Sequence, residues 1–464
     1  MRLPRSTPAA EGVGPAAIRD WIEALETQNL ETHGIMVLRH GSVIAEGWWA
    51  PYGPCEPQLL YSLTKSFTAT GIGFAVEDGL VDLDDRVIDL FPDALPAEVS
   101  DNLAAMRVRH CLTMSVGQSE DLGVDMEPYK GDWARGFMAR PVPFAPGTHF
   151  LYNSTASNML SLIVQKVSGQ TLQDYLRPRL FDPLGINGEC WEHVFGHTMG
   201  GWGLSLTLED VTKFGLLYLQ DGVWEGLRVL PAGWVQMATQ SHVQNQSETP
   251  DWAQGYGFQF WRSRHNSFRG DGAFGQFCLV LPELDAVVAI HGGGGDMQKT
   301  LNAVWDHLLP AFRASSSLEG QDRLSAKLAG LSLPTVSRGN GVVPLGRVAK
   351  EGGDDPISEY TLAAASGGLE LSWSDDGSLQ VLRAEYDHWI QGSLCLEGGA
   401  PFPVGAKAYW PDAKTLAIKV CHLNAPMSVL FTIRTAGDQV TIHQERNANW
   451  LVQPKVKFVG RRID

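Results

Sequence analysis

Patterns of apolar residues predict strands at both ends of the first 312 residues of the chain. Residues 33–49 (HGIMVLRHGSVIAEGWW) contain two apolar runs around a histidine–glycine turn, which is typical of a hairpin. Strand patterns return over residues 256–262, 274–281 and 286–292, and a turn that contains proline joins the last two. We therefore expect one antiparallel sheet that is assembled from the two ends of this region.

Helical patterns fill the interval between those strands. The apolar run over residues 62–75 predicts a buried helix, and residues 158–168 and 171–180 predict two more. The segment opened by Thr207 has the spacing of a helix-capping box, and residues 296–312 predict a closing helix. The expected fold class is α/β, of the α+β kind, with an antiparallel sheet flanked by helices and an inserted helical region.

The pattern changes after residue 312. A polar stretch, RASSSLEGQDR, and the Gly-, Ser- and Pro-containing sequence that follows predict a linker over residues 313–343. Residues 344–464 show apolar runs separated by turns such as Gly437-Asp438, which is typical of a small all-β domain. We therefore predict a first domain at residues 1–312, the linker, and a C-terminal β domain at residues 344–464.

Composition and charge narrow the possible partners. The 464 residues are 44% hydrophobic and 19% charged, as in ordinary globular proteins, and the length favours two domains. Because 52 acidic side chains oppose 36 basic ones, giving a net charge of -16, we expect neither a nucleic-acid nor a membrane partner. The sequence shows no membrane span, no signal peptide and no CxxC pair, so we expect a cytoplasmic protein. The oligomeric state stays open.

A serine and a lysine stand three residues apart at the start of the predicted helix, in LYSLTKS. Residues at this spacing share one helix face, so the Lys65 amine can approach the Ser62 hydroxyl. Burial lowers the pKa of a lysine, and a neutral amine can take the proton that makes a serine hydroxyl a weak nucleophile. SxxK alone is weak evidence, because it arises roughly once by chance in a chain of this length.

Several ordered blocks carry a family resemblance. Over residues 7–312 the chain resembles the β-lactamase-related serine hydrolases, which include class C β-lactamases, penicillin-binding esterases, D-aminopeptidases and aminohexanoate-dimer hydrolases. The blocks are LYSLTKSFTATGIGFAVEDGLVDLDDRV, RHCLTMSVG, PGTHFLYNSTASNMLSLIVQKVSGQTLQDYLRPRLFDPLGI, GGWGLSLTLEDVTKFGLLYL and GDGAFGQFCLVLPELDAVVAIHG. Ordered blocks of this kind are far more specific than SxxK by itself.

The resemblance implies roles for particular residues. It makes Ser62 the acylated nucleophile, Lys65 its base, and Tyr152 a proton shuttle whose pKa we expect the nearby Lys65 cation to lower. Ser154, where asparagine is commoner in the family, is expected to bind substrate. The backbone N–H groups of Ser62 and Ala273 would form an oxyanion hole, and the chemistry needs no metal or organic cofactor.

The third family motif departs from its usual form. Gly270-Asp271-Gly272 stands where the family commonly has Lys-Thr-Gly or His-x-Gly, so the basic side chain is missing. Gly272 is still expected to contact substrate. Trp202 is predicted either to line the acyl pocket or to pack in the core. The missing cation argues against efficient recognition of a β-lactam carboxylate.

These features together predict a serine hydrolase that cleaves a small-molecule ester or amide through an acyl-enzyme. A carboxylesterase is the main expectation. The alternatives are an amidase or D-amino-acid peptidase, a β-lactamase, and a non-catalytic binding or scaffold protein of the same fold. The physiological substrate is not legible, because specificity lies in loops such as residues 115–144 and 241–255.

Overall fold

The computed structural model describes residues 2–121, 129, 131–313, 319–339, 341–375, 377–395, 400–447 and 455–463. The helices are α1 Pro15–Thr27, α2 Thr64–Glu77, α3 Val87–Leu90, α4 Asp101–Ala105, α5 Val108–Leu112, α6 Trp133–Met138, α7 Ser154–Ser168, α8 Leu172–Leu176, α9 Leu208–Leu219, α10 Trp234–Thr239, α11 Met297–Ala303, α12 Leu309–Arg313 and α13 Gln321–Ala329. The strands before residue 300 are β1 Thr32–Arg39, β2 Ser42–Trp48, β3 Gln58–Leu59, β4 Cys190–Trp191, β5 His193–Val194, β6 His197–Thr198, β7 Leu204–Leu206, β8 Val223–Trp224, β9 Leu227–Arg228, β10 Trp261–Ser263, β11 Ser267–Gly272, β12 Gln276–Leu281 and β13 Ala286–Gly292.

The predicted sheet from two chain ends is confirmed. Six antiparallel strands lie in the order β10-β11-β12-β13-β1-β2, and the pairing of β1 with β13 joins Ile35 to Ile290 from the two ends of this region. Every residue of β12 and β13 is buried, because helices cover both faces of the sheet. On β12, Cys278 packs on the face towards α2 and α9, whereas Phe277 packs on the face towards α1 and α11.

One predicted strand and one predicted helix near the site were wrong in their bounds. The strand expected at residues 256–262 is reduced to β10, because Gln259 has a left-handed backbone (φ 60°) that no regular strand accommodates. Phe258 and Phe260 pack instead in the core beside the helices. The helix expected from residue 62 begins as a 3₁₀ turn, Tyr61–Leu63, and the α-helix follows at Thr64.

The segment predicted as a linker contains a packed helix. Within α13 the Leu324 side chain is fully buried beside α1, and Lys327 forms an ion pair with Glu26 of α1. The sequence predicted a linker here without indicating that part of it forms a helix. A short, polar helix with Leu324 as its one buried residue is a weak sequence pattern, and only the packing on α1 shows which face is covered. The division at residues 1–312, 313–343 and 344–464 stays a prediction.

The C-terminal region is all-β, as predicted. Its strands follow the order β17-β16-β15-β14-β23-β22-β21-β20-β19-β18, and a parallel bridge between Glu385 of β17 and Lys407 of β19 closes them into a barrel-like sheet. The interior is filled by side chains such as Trp373, Phe431 and Phe458. The strands are β14 Gly346–Gly353, β15 Glu359–Ala365, β16 Gly368–Asp375, β17 Ser378–Glu385, β18 Ile390–Leu394, β19 Phe402–Asp412, β20 Thr415–His422, β21 Ser428–Ala436, β22 Gln439–Arg446 and β23 Lys455–Arg462.

The barrel packs against the first domain. Cys421 and Leu423 at the end of β20 are buried in the same core as Tyr52. The backbone N–H of Leu59, three residues before Ser62, donates to the Asn424 carbonyl at 2.9 Å. Within the residues that the structure describes, no helix has the length and apolarity that crossing a bilayer requires.

Candidate active site

Lys65 is a buried lysine whose side chain reaches Ser62. Its side chain lies on the first turn of α2 and is 1% exposed. The ammonium Nζ lies 3.1 Å from Ser62 Oγ, 3.2 Å from Ser154 Oγ and 2.6 Å from the Gly201 carbonyl oxygen. Three oxygen partners satisfy the three N–H donors of a lysine, which is why the charge can be buried here.

Burial changes the acid–base character of that amine. It lowers the pKa of Lys65 to about 7, although the carboxylates of Asp121 and Asp271 act in the opposite direction. Near neutral pH a substantial fraction of the amine is therefore uncharged. A neutral amine 3.1 Å from a hydroxyl has the chemistry of a proton acceptor, so the role of base stays the prediction for Lys65.

Tyr152 lies next to Ser62 and Lys65, but its pKa shifts in the direction opposite to the expected one. Its ring stacks on Trp261 with centroids 5.4 Å apart, and Lys65 Nζ lies 4.9 Å from the ring centroid. Burial, followed by the charge of Asp271, raises the pKa of the phenol well above its ordinary value, while a hydrogen bond with Ser62 lowers it in part. The expectation that Lys65 lowers this pKa was wrong, because desolvation dominates. Tyr152 is a neutral phenol in the resting site.

Ser154 is held by the start of α7. The Asn153 side chain caps this helix by accepting from Ala156 N–H at 2.9 Å, and Asp121 accepts from Ser154 N–H at 2.8 Å. Asn153 is fully buried and also donates to Gln118 at 2.8 Å. The cap therefore fixes Tyr152 on one side and Ser154 on the other.

The Gly201 carbonyl is a partner of Lys65 that the sequence reasoning missed. The segment around it lies so close to α7 that a Cβ on Gly200 would be 2.3 Å from the Ser157 carbonyl, and one on Gly201 would be 2.8 Å from that of Ser154. Only glycine permits this approach of two backbones. The adjacent glycines in GGWG were the sequence signal that indicated a close backbone approach.

Trp202 follows directly and is half-buried. Its ring meets Trp133 edge-on with centroids 6.1 Å apart and packs at the margin of the core. The structure therefore shows the core contact of Trp202, and its place in the wall of an acyl pocket stays a prediction. Part of the loop over residues 115–144 lies outside the described residues.

The third motif, residues 270–272, packs tightly against the segment that carries Ser62. A Cβ on Gly272 would lie 1.9 Å from the Leu60 carbonyl, and one on Gly270 would lie 2.3 Å from Leu63 Cδ1 and 2.7 Å from Ser66 Oγ. The strand therefore has no room for the basic side chain that the family commonly carries at position 270. Gly272 lets the strand approach the Leu60 backbone closely, and the next residue along the chain is Ala273.

Asp271 points to the other face of the strand and forms a buried ion pair. Its Oδ2 lies 2.9 Å from Nε of Arg269, which is fully buried and stacked over Trp252 at 4.4 Å. Burial raises the pKa of the Asp271 carboxyl, which the hydrogen bonds from Arg269 and Trp261 oppose. Because Trp261 in turn stacks on Tyr152, this pair belongs to the wall behind the phenol. The sequence reasoning noted Asp271 only as a departure from the family motif.

Both predicted oxyanion donors have their peptide planes oriented by neighbouring hydrogen bonds. Thr64 N–H donates to the Tyr61 carbonyl, and Gly275 N–H donates to the Gly272 carbonyl at 3.3 Å. In a trans peptide the N–H points opposite to the carbonyl, so Ser62 N–H and Ala273 N–H both point away from these bonds. Ser62 and Ala273 are half-buried.

The sheet, its helical insertion and the Ser62–Lys65 pair define a protein of the β-lactamase-like fold. The model of the Beta-lactamase family matches residues 18–295, more than half of the chain, and the protein belongs to that family.

Similar proteins carry several names. The 6-aminohexanoate-dimer hydrolase of Paenarthrobacter ureafaciens is 27% identical over 313 residues, covering 61% of this chain and 78% of that protein. A putative β-lactamase from Bacteroides dorei DSM 17855 superposes with a TM-score of 0.55 at 17% identity, over 64% of this chain and 98% of its own. The structure of SurE superposes with a TM-score of 0.52 at 19% identity over 93% of this chain and 100% of its own. The likeness of fold to SurE therefore extends into the C-terminal barrel.

Proposed function

We propose that this protein is a serine hydrolase that cleaves small esters through an acyl-enzyme on Ser62. The observation that carries the proposal is the buried Lys65 amine, which contacts both Ser62 and Ser154 and has a pKa of about 7. A lysine paired only for stability would keep its charge beside a carboxylate. Here its direct partners are two hydroxyls and a carbonyl, which suits a group that gains and loses a proton.

The reaction begins with the neutral form of Lys65. Its amine takes the Ser62 proton as Oγ forms a bond to the substrate carbonyl carbon, and the carbonyl oxygen becomes an oxyanion facing Ser62 and Ala273 N–H. When the ester C–O bond breaks, the protonated Lys65 gives up this proton through Tyr152, which hydrogen-bonds Ser62, and the departing alkoxide leaves as the alcohol. Water then attacks the acyl carbon, loses a proton to the same base and releases Ser62 with its proton restored.

Electrostatics favour an ester over a β-lactam. No basic side chain stands at Gly270, and the buried Arg269 is paired with Asp271, so neither offers a charge to a substrate carboxylate. Losing one charge-assisted contact costs about 1.5–3 kcal/mol, or about one to two powers of ten in binding. We also propose that the protein acts on small molecules without a nucleic-acid partner, in keeping with its net charge of -16.

An amidase is the second candidate, and one observation favours it. The relative that is 27% identical is named for hydrolysis of 6-aminohexanoate dimer. An amide, however, requires protonation of its leaving nitrogen, and the raised pKa of Tyr152 makes that phenol a weak proton donor. Esters with good leaving groups do not need this step.

A fluorophosphonate probe and a substrate panel test the proposal. We expect covalent labelling at Ser62 and turnover of short-chain p-nitrophenyl esters, with weaker turnover of D-aminoacyl anilides and nitrocefin. Ser62→Ala should abolish labelling and turnover while leaving the thermal unfolding midpoint nearly unchanged. A folded wild-type protein that is neither labelled nor active would instead favour a non-catalytic binding protein. Nitrocefin hydrolysis as fast as ester hydrolysis would restore β-lactamase as the main activity.

A further inference from the structure

Two residues beside the candidate site have a backbone conformation that side chains disfavour. Tyr61, immediately before Ser62, has φ 48°, and Phe274, immediately after Ala273, has φ 67°. Left-handed backbone costs free energy in any residue with a Cβ, and it persists only where the surroundings enforce it. Glycine would remove that cost at both positions.

The two strained residues contact each other. Their rings meet edge-on, with centroids 5.3 Å apart and planes at 65°. This is a favoured geometry for an aromatic pair. Both side chains are half-buried, like Ser62 and Ala273, so the contact lies at the accessible site rather than in the core.

The surrounding backbone connects each ring to one oxyanion donor. Tyr61 supplies the carbonyl of the peptide whose N–H belongs to Ser62, and this carbonyl accepts from Thr64 N–H. Phe274 lies in the three-residue turn between β11 and β12, and the N–H of the next residue, Gly275, donates at 3.3 Å to the Gly272 carbonyl, which belongs to the same peptide as the Ala273 N–H. We therefore expect that displacing either ring turns one of these two peptide planes.

We propose that the Tyr61–Phe274 pair is a positioning device that holds the Ser62 and Ala273 N–H groups in convergent orientation. The inference rests on the proposed function, because it assigns the Tyr61–Phe274 pair to the oxyanion hole of that reaction. The rings touch neither reacting atom, so both are positioning residues. Their contribution should appear in the transition state, where the oxyanion exists, and not in the binding of the neutral ester.

Phe274→Gly tests this with a matched control, Asp285→Gly. Asp285 has φ 47° and lies in the hairpin at the opposite end of β12, so both variants remove a Cβ from left-handed backbone. Only Phe274→Gly loses the ring contact. The readouts are kcat and KM on a p-nitrophenyl ester and the Ki of a boronic acid, whose tetrahedral adduct places an oxygen where the oxyanion forms.

We expect Phe274→Gly to lower kcat about tenfold or more and to raise Ki by a similar factor, with KM nearly unchanged. Removing an oxyanion donor outright costs about 10²–10³ in kcat, and displacing one should cost less. Tyr61→Ala breaks the same contact from the other side and should match it, and the double variant Tyr61→Ala/Phe274→Gly should be little worse than either single variant. Asp285→Gly should leave kcat and Ki unchanged.

Unchanged kcat and Ki in folded Phe274→Gly and Tyr61→Ala proteins would contradict the positioning role. The contact between the two rings would then serve local packing alone. The proposed function fails separately: in that case Ser62→Ala would retain activity, or the wild type would resist labelling by the fluorophosphonate probe. A rise in KM with kcat and Ki unchanged would also overturn the inference, because it would place the rings in ground-state binding.

Discussion

At the scale of single residues, the site depends on how burial and charge act on one lysine. Desolvation lowers the pKa of Lys65, and the carboxylates of Asp121 and Asp271 raise it, leaving it at about 7. The same Asp271 raises the pKa of Tyr152. Burial therefore makes Lys65 a weaker base and Tyr152 a weaker acid, and the Asp271 charge opposes the first of these shifts and adds to the second.

This balance predicts the pH dependence of catalysis. Because only the neutral amine accepts a proton, kcat/KM for an ester should rise with pH through an inflection near 7. Asp271→Asn removes a charge that raises the pKa of Lys65, so its inflection should move to lower pH. Rate profiles measured across neutral pH check both statements.

Two controls accompany these profiles. Asp271→Asn leaves Arg269 buried without its carboxylate, so Arg269→Gln/Asp271→Asn removes both charges and should shift the inflection in the same direction. Glu209→Gln removes a carboxylate that pairs with Arg5 far from the site, and it should leave the inflection in place. If the folded Asp271 variants kept the wild-type inflection, the inflection could not be assigned to a Lys65 amine under the influence of the Asp271 charge.

At the scale of elements, the ends of helices position the reacting groups. Ser62 lies in the 3₁₀ turn that leads into α2, and Tyr152 and Ser154 flank the capping residue of α7. Side chains at a helix start are fixed by capping bonds as well as by packing. The start of α7 is therefore part of the catalytic geometry in addition to its role in stability.

Replacing this cap should separate stability from activity. Asn153→Ala removes the bond to Ala156 N–H and should cost about 1–2 kcal/mol of unfolding free energy while lowering kcat, because Tyr152 and Ser154 lose their fixed positions. Thr171→Ala removes the equivalent cap of α8, an acceptor for Asp174 N–H at 3.1 Å, and should cost about 1 kcal/mol with kcat retained. Denaturant titrations and kinetics on both variants check this. Equal kcat values would show that the cap is purely structural.

At the scale of the whole molecule, a half-buried ion pair joins the barrel to the sheet domain. Lys419 Nζ of β20 lies 2.9 Å from Glu31 Oε2, and His33 lies 3.3 Å from the other carboxylate oxygen. Burial by itself raises the pKa of Glu31, but the hydrogen bond with His33 and the charge of Lys419 outweigh it and lower the pKa to about 2. The interface therefore stabilises the ionised carboxylate.

This interface has a predictable acid sensitivity. A carboxyl whose pKa is lowered on folding contributes stability above its unfolded pKa, and that contribution is lost as pH falls towards the folded value. Glu31→Gln should therefore lower the unfolding free energy by about 1–3 kcal/mol at neutral pH, since the pair is only partly exposed. The difference from wild type should shrink between pH 4.5 and about 2. Urea titrations at several pH values measure it.

The barrel itself supplies a control for this measurement. Glu359→Gln breaks the more exposed pair with Arg347, which should change the unfolding free energy by less than about 1 kcal/mol at any pH. A Glu31→Gln deficit that stays constant as the pH falls would contradict the role of the charge.

The sequence by itself determined the sheet and the approach of Ser62 to Lys65, because both follow from local periodicity and three-residue spacing. It also indicated the all-β C-terminal region from its regular turns. It could not indicate that Gln259 interrupts a strand, that α13 packs on α1, or that Gly201 supplies a carbonyl to Lys65, since each depends on contacts between distant segments. Only the tertiary structure decided the acid–base balance, because desolvation and the Asp271 charge arise from packing and not from spacing.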